Sequence, residues 1–352
     1  MPQHVQGDTV RILSIDGGGI RGILPARVLQ YIEEHTGRSA ADIFHLVSGT
    51  STGGIISCGI AKGMPAKDLG DFYVAHGGAI FERSMWQRIS NPADLAGPKY
   101  DPEELETILK DILGDMRLRD VASTELLVPT YVIQLPQAQT ESGVTSTRTP
   151  MFFKTWKARG EGLAPGEERD EFDFLLCDVA RATSAAPTYF PPALVANAKG
   201  QEFGVVDGGV FANNPALCAL AAAYKLYPGK HYLLVSLGTG SLEGDIPYDD
   251  AKGWGDLSWL HPILSILMDG NADTVCYQCD QVLGDDHHRF EITLGRDPKD
   301  PCAVDEDFDD ASVDNIQRLE RLAGKLVADS QDRLDRLCQE LAPDVAPRAR
   351  TG

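Results

Sequence analysis

The stretch VRILSIDGGGIRGILPARVLQYIEEH, residues 10 to 35, contains the pattern that decides the fold. Residues 10–15 form a short run rich in aliphatic and β-branched side chains, which favours a buried strand. After a glycine-rich loop, apolar residues recur at helical spacing through Ile23, Val28 and Ile32. The stretch therefore predicts a strand, a loop and a helix, which together make one unit of an α/β fold.

The same alternation continues along the chain. FHLVSGT (44–50) predicts a second buried strand, and GGIISCGIAKG (53–63) predicts the helix that follows it. Further segments of this alternation are ELLVPTYVI (125–133), FDFLLCDVARATSA (172–185), EFGVVD (202–207), PALCALAAAYKLY (215–227) and HYLLVSLGTG (231–240). This order predicts a three-layer α/β/α fold, with a mostly parallel central sheet covered by helices on both faces.

Two segments depart from the alternation. Residues 135–170 are rich in polar residues and predict an exposed excursion around the short strand MFFKTW. From Asp309 to Leu341, apolar residues at helical spacing predict one long amphipathic helix, or two, packed on the domain. We therefore expect a single catalytic domain over residues 1–341, with a C-terminal helix at about 311–341, followed by a mobile tail at 342–352.

The composition is that of an ordinary globular protein, with 43% hydrophobic and 24% charged residues. A net charge of −20 repels nucleic acid and anionic lipid surfaces, so no nucleic-acid partner is expected. No basic segment followed by an apolar run opens the chain, and no apolar stretch reaches about 18 residues, so neither a secretory signal nor a membrane span is predicted. Seven cysteines, an odd number without framework spacing, predict reduced thiols in the cytoplasm.

One cysteine pair has the spacing of a metal site. Cys276 and Cys279 lie in CYQC, and His287 and His288 follow. A structural zinc site normally closes with a second well-spaced pair, which is missing here. Packing on a helix is the favoured interpretation, and no metal is expected.

The first glycine-rich loop fits two functions. Gly17, Gly19 and Gly22 match the spacing of a dinucleotide-binding loop. That function also requires an acidic residue at the end of the second strand to bind the ribose hydroxyls. Asp42 has about the right separation but precedes this strand, so the nucleotide interpretation is disfavoured.

A G-x-S-x-G motif, formed by Gly49, Ser51 and Gly53, occupies the end of the second strand. A strand before the motif and a helix after it are the context in which the serine of a nucleophile elbow projects from a tight turn. The following helix N-terminus favours the negative charge that develops during attack. The alternative is a strand-to-helix turn in which Ser51 only caps the helix.

An acyl-transfer site also needs oxyanion donors and a base. Gly17, Gly18 and Gly19 are candidate donors, since their backbone can approach a substrate carbonyl at a helix N-terminus. Asp207 closes the strand EFGVVD, and we expect it to partner Ser51 because sites of open α/β sheets gather at the carboxyl ends of strands. Taken alone, the following D-G could equally form a hairpin turn. Arg21 either holds the loop, meets an anionic head group or lies exposed beside a carboxylate.

With these three loops the sequence resembles the patatin-like lipid acyl hydrolases. DGGGIRG, GTSTG and DGG, and also ATSAAPTYFPP, NNP, LVSLGTG and DDASVDNIQRL, follow the order of that family over about residues 8 to 340. The resemblance implies Ser51 as nucleophile, Asp207 as its only side-chain partner, an oxyanion hole at Gly17 to Gly19, and no cofactor. It implies a lipid substrate, a phospholipid or a galactolipid-like acyl ester, and transient contact with a membrane surface.

Two other functions remain open at this point. Eight histidines are present, and His231, His261, His287 and His288 follow Asp207, so a Ser-Asp-His esterase is not excluded by inventory. None of the four has the loop setting after a strand that a triad base needs. A storage or ligand-regulated protein on this fold is the third possibility, which the intact catalytic set disfavours.

Two aromatic segments bear on the substrate. GWGDLSWLHPILSILMDG (253–270) and FERSMWQRI (81–89) are rich in large apolar residues. Either could line an acyl channel or touch a lipid interface, although burial in the core or in a subunit contact is the more ordinary outcome. The net charge favours neutral or zwitterionic lipid over anionic lipid.

Overall fold

The computed structural model describes residues 7–81, 98–136, 148–242, 245–295, 300, 302–304 and 307–343. Its strands are β1 (Thr9–Ile15), β2 (Leu46–Gly49), β3 (Glu125–Gln134), β4 (Thr149–Lys154), β5 (Ala193–Ala196), β6 (Glu202–Asp207), β7 (His231–Leu237), β8 (Ser241–Leu242), β9 (His287–Phe290) and β10 (Thr293–Leu294). Its α-helices are α1 (Ile23–Thr36), α2 (Ala40–Ile43), α3 (Thr52–Lys62), α4 (Ala66–Ile80), α5 (Glu103–Leu113), α6 (Thr155–Ala158), α7 (Leu176–Thr183), α8 (Gly209–Ala212), α9 (Ala216–Leu226), α10 (Tyr248–Ala251), α11 (Asp256–Leu283), α12 (Val313–Asp329) and α13 (Gln331–Leu341).

The central sheet has the strand order β5-β6-β3-β2-β1-β7-β9, and β4 pairs with β3 outside this path. Neighbouring strands from β3 through β2, β1 and β7 to β9 are parallel. At the other side of the sheet, β6 runs antiparallel to β3 and β5 runs antiparallel to β6. The predicted mostly parallel sheet is confirmed, with an antiparallel flank that the alternation did not indicate.

Both faces of the sheet are buried, as a three-layer fold requires. The side chains of β1 alternate between two hydrophobic cores, with Leu13 and Ile15 in one and Val10 and Ile12 in the other. Helices α1, α3, α4 and α7 cover the first core, whereas α9 and α11 cover the second. The predicted α/β/α architecture is therefore confirmed.

The C-terminal helical segment is divided in two. Helix α12 ends at Asp329 and α13 begins at Gln331, with Ser330 between them at φ −101° and ψ 4°. Both helices pack on α1, and their apolar faces enter its core through residues such as Leu319 and Leu337. The expected tail, beyond residue 343, lies outside the described residues.

The excursion predicted for 135–170 is described only from residue 148. Its strand MFFKTW forms most of β4, which pairs antiparallel with β3 and so extends the flank of the sheet. Among the described residues, no helix is long and apolar enough to cross a membrane.

Candidate active site

Ser51 lies on the sharp turn between β2 and α3. Its backbone has φ 53° and ψ −122°, a conformation that residues other than glycine rarely adopt. Among the described residues, Thr188 is the only other non-glycine residue with a positive φ. Such a conformation costs about 1–3 kcal/mol and persists where surrounding contacts impose it. Here the N–H of Ser51 donates to Thr183 Oγ1 at 3.1 Å, and Thr50 Oγ1 donates to the carbonyl of Ala212 at 2.6 Å.

The flanking glycines make this turn sterically possible. A Cβ on Gly49 would lie under 3.0 Å from the carbonyl of Gly53, and a Cβ on Gly53 would lie under 3.0 Å from the carbonyl of Ile15. The backbones of the strands and of helix α3 are therefore in direct contact at these glycines, as the G-x-S-x-G motif predicts.

Gly53→Ala should lower the free energy of unfolding by about 1–3 kcal/mol or more, because the added methyl group meets a fixed carbonyl of β1. The control is Gly324→Ala, in the middle of α12, where a Cβ meets nothing within 4 Å. There the higher helix propensity of alanine should stabilise the protein by about 0.5–1 kcal/mol. Denaturant unfolding measures both, and equal effects of the two substitutions would contradict the close contact.

Asp207 ends β6 and is 4% exposed. Its Oδ1 accepts the N–H of Gly209 at 2.7 Å, and the side chain of Ser51 lies close enough to interact with its carboxylate. Burial raises the pKa of Asp207 to about 7, against the opposing effects of the Gly209 N–H, the Ser51 side chain and Arg181. A carboxylate with a pKa near neutrality can accept a proton far better than an ordinary aspartate.

Asp207 was expected near Ser51 because both residues end a strand of a parallel sheet, but the structure brings it there in another way. β6 is antiparallel to β3, so the carboxyl end of β6 points toward the amino ends of the parallel strands. Asp207 pairs with Thr130 of β3, which extends past the end of β2. Asp207 thus reaches the level of Ser51 from the opposite direction.

The glycine-rich loop after β1 lies beside the serine. An added Cβ on Gly17 would be 3.3 Å from Ser51 Cβ, and the N–H of Gly17 donates to the carbonyl of Asn213 at 3.1 Å. In the described part of the chain, the N–H groups of Gly18 and Gly19 have no acceptor. Both of these glycines line the same pocket as Ser51.

Arg21 is buried under Phe308, which lies in the segment just before α12. It is 2% exposed, and its guanidinium carbon lies 3.8 Å from the ring centroid of Phe308. Burial lowers the pKa of Arg21 to about 10, and its Nε has no hydrogen-bond partner among the described residues. The carbonyl of Phe308 accepts the N–H of Ile20 at 2.9 Å. The Arg21 side chain therefore packs against Phe308 and does not take the exposed position that was one of its three expected settings.

A buried network of charged side chains contacts Asp16, at the start of the glycine-rich loop after β1. The sequence analysis did not identify this network. Arg289 donates to Asp16 Oδ2 at 2.7 Å and to Ser236 Oγ at 2.9 Å, and it also pairs with Glu291. Burial raises the pKa of Asp16 to about 6, although Arg289 opposes this rise. Glu291 in turn accepts the N–H of Gly240 at 2.6 Å. Arg289 and Asp16 are 273 residues apart in the sequence, so no local pattern indicates their contact.

The pocket in front of Ser51 contains about 780 Å³ of empty space, part of which is open to solvent. Ser51, Asp207, Gly18 and Gly19 all line it. Most of the remaining wall is apolar, and its large side chains are Ile55, Tyr73, Ile80, Phe81, Leu105, Tyr189, Phe190, Val210, Met268 and Phe308. The two aromatic segments thus contribute Phe81 and Met268, while residues 82–89 lie outside the described residues.

No described histidine lines this pocket. His231 begins β7 opposite Thr9, at the end of the sheet away from Ser51, and its Nε2 lies 2.8 Å from Asp286. His287 and His288 begin β9, again at the amino end of a strand. The side chain of His261 lies outside the described set.

The CYQC segment lies in α11, where Cys279 is buried. Among the described residues, Cys276, Asp280 and His287 place possible ligand atoms within 4.8 Å of one another. Cys279 is not a member of this group, so the two cysteines do not act as the pair that their spacing would suggest. His287 Nδ1 lies 2.6 Å from Asp280, a hydrogen bond that needs no ion.

Comparisons with a family model and with individual proteins agree on one family. The family model described as "Patatin-like phospholipase" matches residues 13–220. Patatin-like protein 1 of Oryza sativa subsp. indica is 34% identical over 78% of this chain and 70% of its own length. Patatin-like protein 1 of Arabidopsis thaliana is 31% identical over 91% of this chain and 82% of its own length.

Two further matches differ in what they suggest. "Probable inactive patatin-3-Kuras 1" of Solanum tuberosum is 33% identical over 73% of this chain and 70% of its own length. Among solved structures, human GIVD cytosolic phospholipase A2 matches with a TM-score of 0.45 and 10% identity, over 95% of this chain and 60% of that chain. That structural similarity is too weak to support an inference about activity.

Proposed function

Because the chain belongs to the patatin-like phospholipase family, we propose that it hydrolyses ester-linked fatty acids of phospholipids or related acyl lipids through a Ser51–Asp207 dyad. The observation that supports this most is that Ser51 and the buried Asp207 lie close together in the wall of one mostly apolar pocket. The pocket suits an acyl chain, since its wall is mostly hydrocarbon.

In the first half of the proposed reaction, Ser51 Oγ attacks the ester carbonyl as its proton passes to Asp207. The strained turn keeps the hydroxyl projecting into the pocket, and burial gives the carboxylate enough basicity to take the proton. The protonated Asp207 then donates to the departing alcohol, which leaves an acyl group on Ser51. In the second half, Asp207 takes a proton from the water that attacks the acyl carbonyl, and it passes this proton to Ser51 Oγ as the bond between Oγ and the acyl carbon breaks and the fatty acid leaves.

The negative charge on the tetrahedral intermediate needs donors within the pocket. Of the three glycines proposed from the sequence, Gly17 already donates its N–H to Asn213. We therefore assign the oxyanion to the N–H groups of Gly18 and Gly19, at the start of the turn that leads into α1. Arg21, stacked on Phe308, takes the role of holding this loop in place.

Gly18→Ala should lower kcat by roughly 10²-fold to 10³-fold, the usual effect of losing one oxyanion donor. A Cβ at this position would lie under 3.0 Å from Thr239 Oγ1 and Cβ, so the loop must move. Thr239 also holds the loop by donating to the carbonyl of Gly17 at 2.7 Å. Steady-state kinetics on a soluble ester separates kcat from KM, and an unchanged kcat would contradict the assignment of Gly18.

The proposed function is tested with phosphatidylcholine labelled separately in its first and second acyl chains. Release of labelled fatty acid from either position by the wild-type protein would support it and would establish the positional preference. Failure to release fatty acid from phospholipids and from galactolipids would favour a non-enzymatic member of the family. We also place the enzyme in a reducing compartment such as the cytoplasm, since its seven cysteines are all free.

A further inference from the structure

A thiol, a carboxylate and an imidazole come together where α11 packs against β9. Cys276 and Asp280 are one turn apart on α11, so their side chains lie on the same face of the helix. His287 begins β9, and its Nδ1 lies 2.6 Å from Asp280 Oδ1. Each of the three residues places one possible ligand atom within 4.8 Å of the other two. We call this group the α11–β9 cluster.

The separations within the α11–β9 cluster suit a zinc ion. Zn²⁺ binds sulfur at about 2.3 Å and nitrogen or carboxylate oxygen at about 2.0–2.2 Å, so the ligand atoms of a tetrahedral site are about 3.3–3.8 Å apart. Atoms that already lie within 4.8 Å of one another reach these distances through shifts of about 1 Å. The side chain of Asp280 is 53% exposed, so it can make such a shift without disturbing a packed core.

The imidazole of His287 is in the form that binds a metal. Its side chain is fully buried, and its Nε2 has no hydrogen-bond partner among the described residues. Burial lowers the pKa of His287, so the ring is neutral at pH 7. A neutral imidazole is the species that ligates metal ions, and here the described protein groups satisfy only one of its two nitrogens.

The charges around Cys276 favour a cation. Burial has the largest effect on this residue and raises the pKa of its thiol. Arg289 lowers the same pKa, whereas three carboxylates raise it, those of Asp280, Asp16 and Glu291. The charge of Arg289 is already offset by its ion pairs with Asp16 and Glu291. A cation that displaces the thiol proton therefore enters a region of net negative charge.

We propose that Cys276, Asp280 and His287 bind one Zn²⁺ ion, which joins α11 to β9, with water completing its coordination on the exposed side. Thiolate, imidazole and carboxylate are all ligands of zinc in proteins. Mg²⁺ and Ca²⁺ prefer sites made of oxygen ligands alone, so the thiol and the imidazole select against them.

The proposed ion lies away from Ser51. His287 pairs with Leu234, three residues before β7 ends at Leu237. Leu237 is at the level of Gly49, two strands away, which precedes the Ser51 turn. At about 3.3 Å per residue, the ion is therefore about 10 Å from the level of Ser51 along the strands. It takes no part in the proposed ester hydrolysis, and the inference does not depend on that function.

Binding is measured with Co²⁺ as a coloured substitute for Zn²⁺, on the full chain with a non-chelating reductant and with excess Mg²⁺ to occupy acidic surface sites. The wild-type protein should bind one Co²⁺ ion with a thiolate-to-cobalt charge-transfer absorption, and one equivalent of Zn²⁺ should remove this absorption. Cys276→Ser should abolish the absorption. Asp280→Asn should weaken Co²⁺ binding by at least about 10-fold to 100-fold, since loss of even an outer partner of a metal ligand has an effect of this size.

Two other cysteines provide the controls. Cys279 lies three residues further along α11, but its side chain is buried in the second hydrophobic core and is not a member of the α11–β9 cluster. Cys302 is a partly exposed free thiol outside the cluster. Cys279→Ala and Cys302→Ser should therefore both keep the absorption and the binding of one Co²⁺ ion.

Thermal unfolding gives a second measurement. Zn²⁺ should raise the unfolding midpoint of the wild-type protein and of Cys302→Ser, because it binds the native state, and should leave that of Cys276→Ser unchanged. No charge-transfer absorption with stoichiometric Co²⁺, its persistence in Cys276→Ser, or its loss in Cys302→Ser or in folded Cys279→Ala would each overturn the proposal. An equal zinc-induced shift in the wild-type protein and Cys276→Ser would also overturn it. None of these measurements uses ester hydrolysis, so they decide the zinc site even if the proposed function fails.

Discussion

Alanine in place of Ser51 is expected to lower kcat/KM for ester hydrolysis by roughly 10⁴-fold to 10⁶-fold, the range found when serine hydrolases lose their nucleophile. The proposed oxyanion donors at Gly18 and Gly19 remain, and we expect them to account for any small residual rate. Folding should be intact, because the substitution removes only one hydroxyl. Initial rates on a soluble ester and on phosphatidylcholine measure the loss.

Ser184 provides the matched control. It lines the same pocket, but its hydroxyl donates to the carbonyl of Ala180 within α7 at 2.8 Å. Ser184→Ala should therefore retain activity within a few-fold, in contrast to Ser51→Ala. Substantial turnover by purified Ser51→Ala, free of contaminating esterase, would exclude Ser51 as the nucleophile.

The strain at Ser51 gives a second readout of the same position. Ser51→Gly relieves the positive φ, whereas Ser51→Ala retains it. The glycine variant should therefore be more stable than the alanine variant, by on the order of 1 kcal/mol in denaturant unfolding. Both variants should be inactive, which would show that the strained conformation is maintained for catalysis at a cost in stability.

Asp207→Asn should lower kcat/KM by about 10⁴-fold, because the amide cannot accept the proton of Ser51. In the wild-type protein the base must be ionised, and the pKa of Asp207 is raised to about 7. The rate should therefore fall about tenfold for each pH unit below 7 and level off above it. A kcat/KM profile on a soluble ester measures this midpoint.

The control for the pH profile is Asp178 in α7. Burial also raises its pKa, but Asp178 does not line the pocket. Asp178→Asn should leave the midpoint of the rate profile unchanged. A wild-type rate that stays constant down to pH 5 would contradict Asp207 as the base.

The same pKa makes a prediction about stability. Because the pKa of Asp207 is raised from 3.8 to about 7 on folding, the native state holds a proton that the unfolded state has lost over this range. Its contribution to stability is present below pH 4 and is lost as the pH rises to 7, by at most about 4 kcal/mol. Asp207→Asn stays neutral, so its stability relative to wild type should increase between pH 4 and 8. Denaturant unfolding of both proteins at these two pH values measures the difference.

Local patterns predicted the elements that carry Ser51, the proposed nucleophile. The aliphatic run of β1, the helical spacing of α1 and the glycines around Ser51 are short-range signals, and each corresponds to the described structure. The Ser51 turn in particular needs only a strand, two residues without side chains and a helix. Positions of this kind are fixed by sterics within about ten residues of sequence, which is why the sequence alone reveals them.

The position of Asp207 shows where such reasoning ends. The sequence predicted Asp207 as the partner of Ser51, and both residues line one pocket, but the stated reason assumed a parallel strand. The antiparallel direction of β6 depends on its pairing with β3, some 75 residues earlier, and an apolar run carries no sign of strand direction. The amide of Gly17 was likewise assigned to the oxyanion hole, although it is used by Asn213.

Long-range partners were not predictable at all. Arg289 beneath Asp16 and Phe308 over Arg21 come from segments that contact the first loop only after the sheet and the C-terminal helices have assembled. The division of the C-terminal helix at Ser330 has the same origin, since it follows the surface of a core built by distant residues.

The central claim is that Ser51, activated by Asp207, is the nucleophile of this protein. Its most direct test is mass-spectrometric mapping of the adduct formed with a lipid-like fluorophosphonate. We expect one adduct, on the peptide that contains Ser51, formed quickly by the wild-type protein, slowly by Asp207→Asn and not at all by Ser51→Ala. An adduct on another residue, or labelling of Asp207→Asn at the wild-type rate, would contradict it.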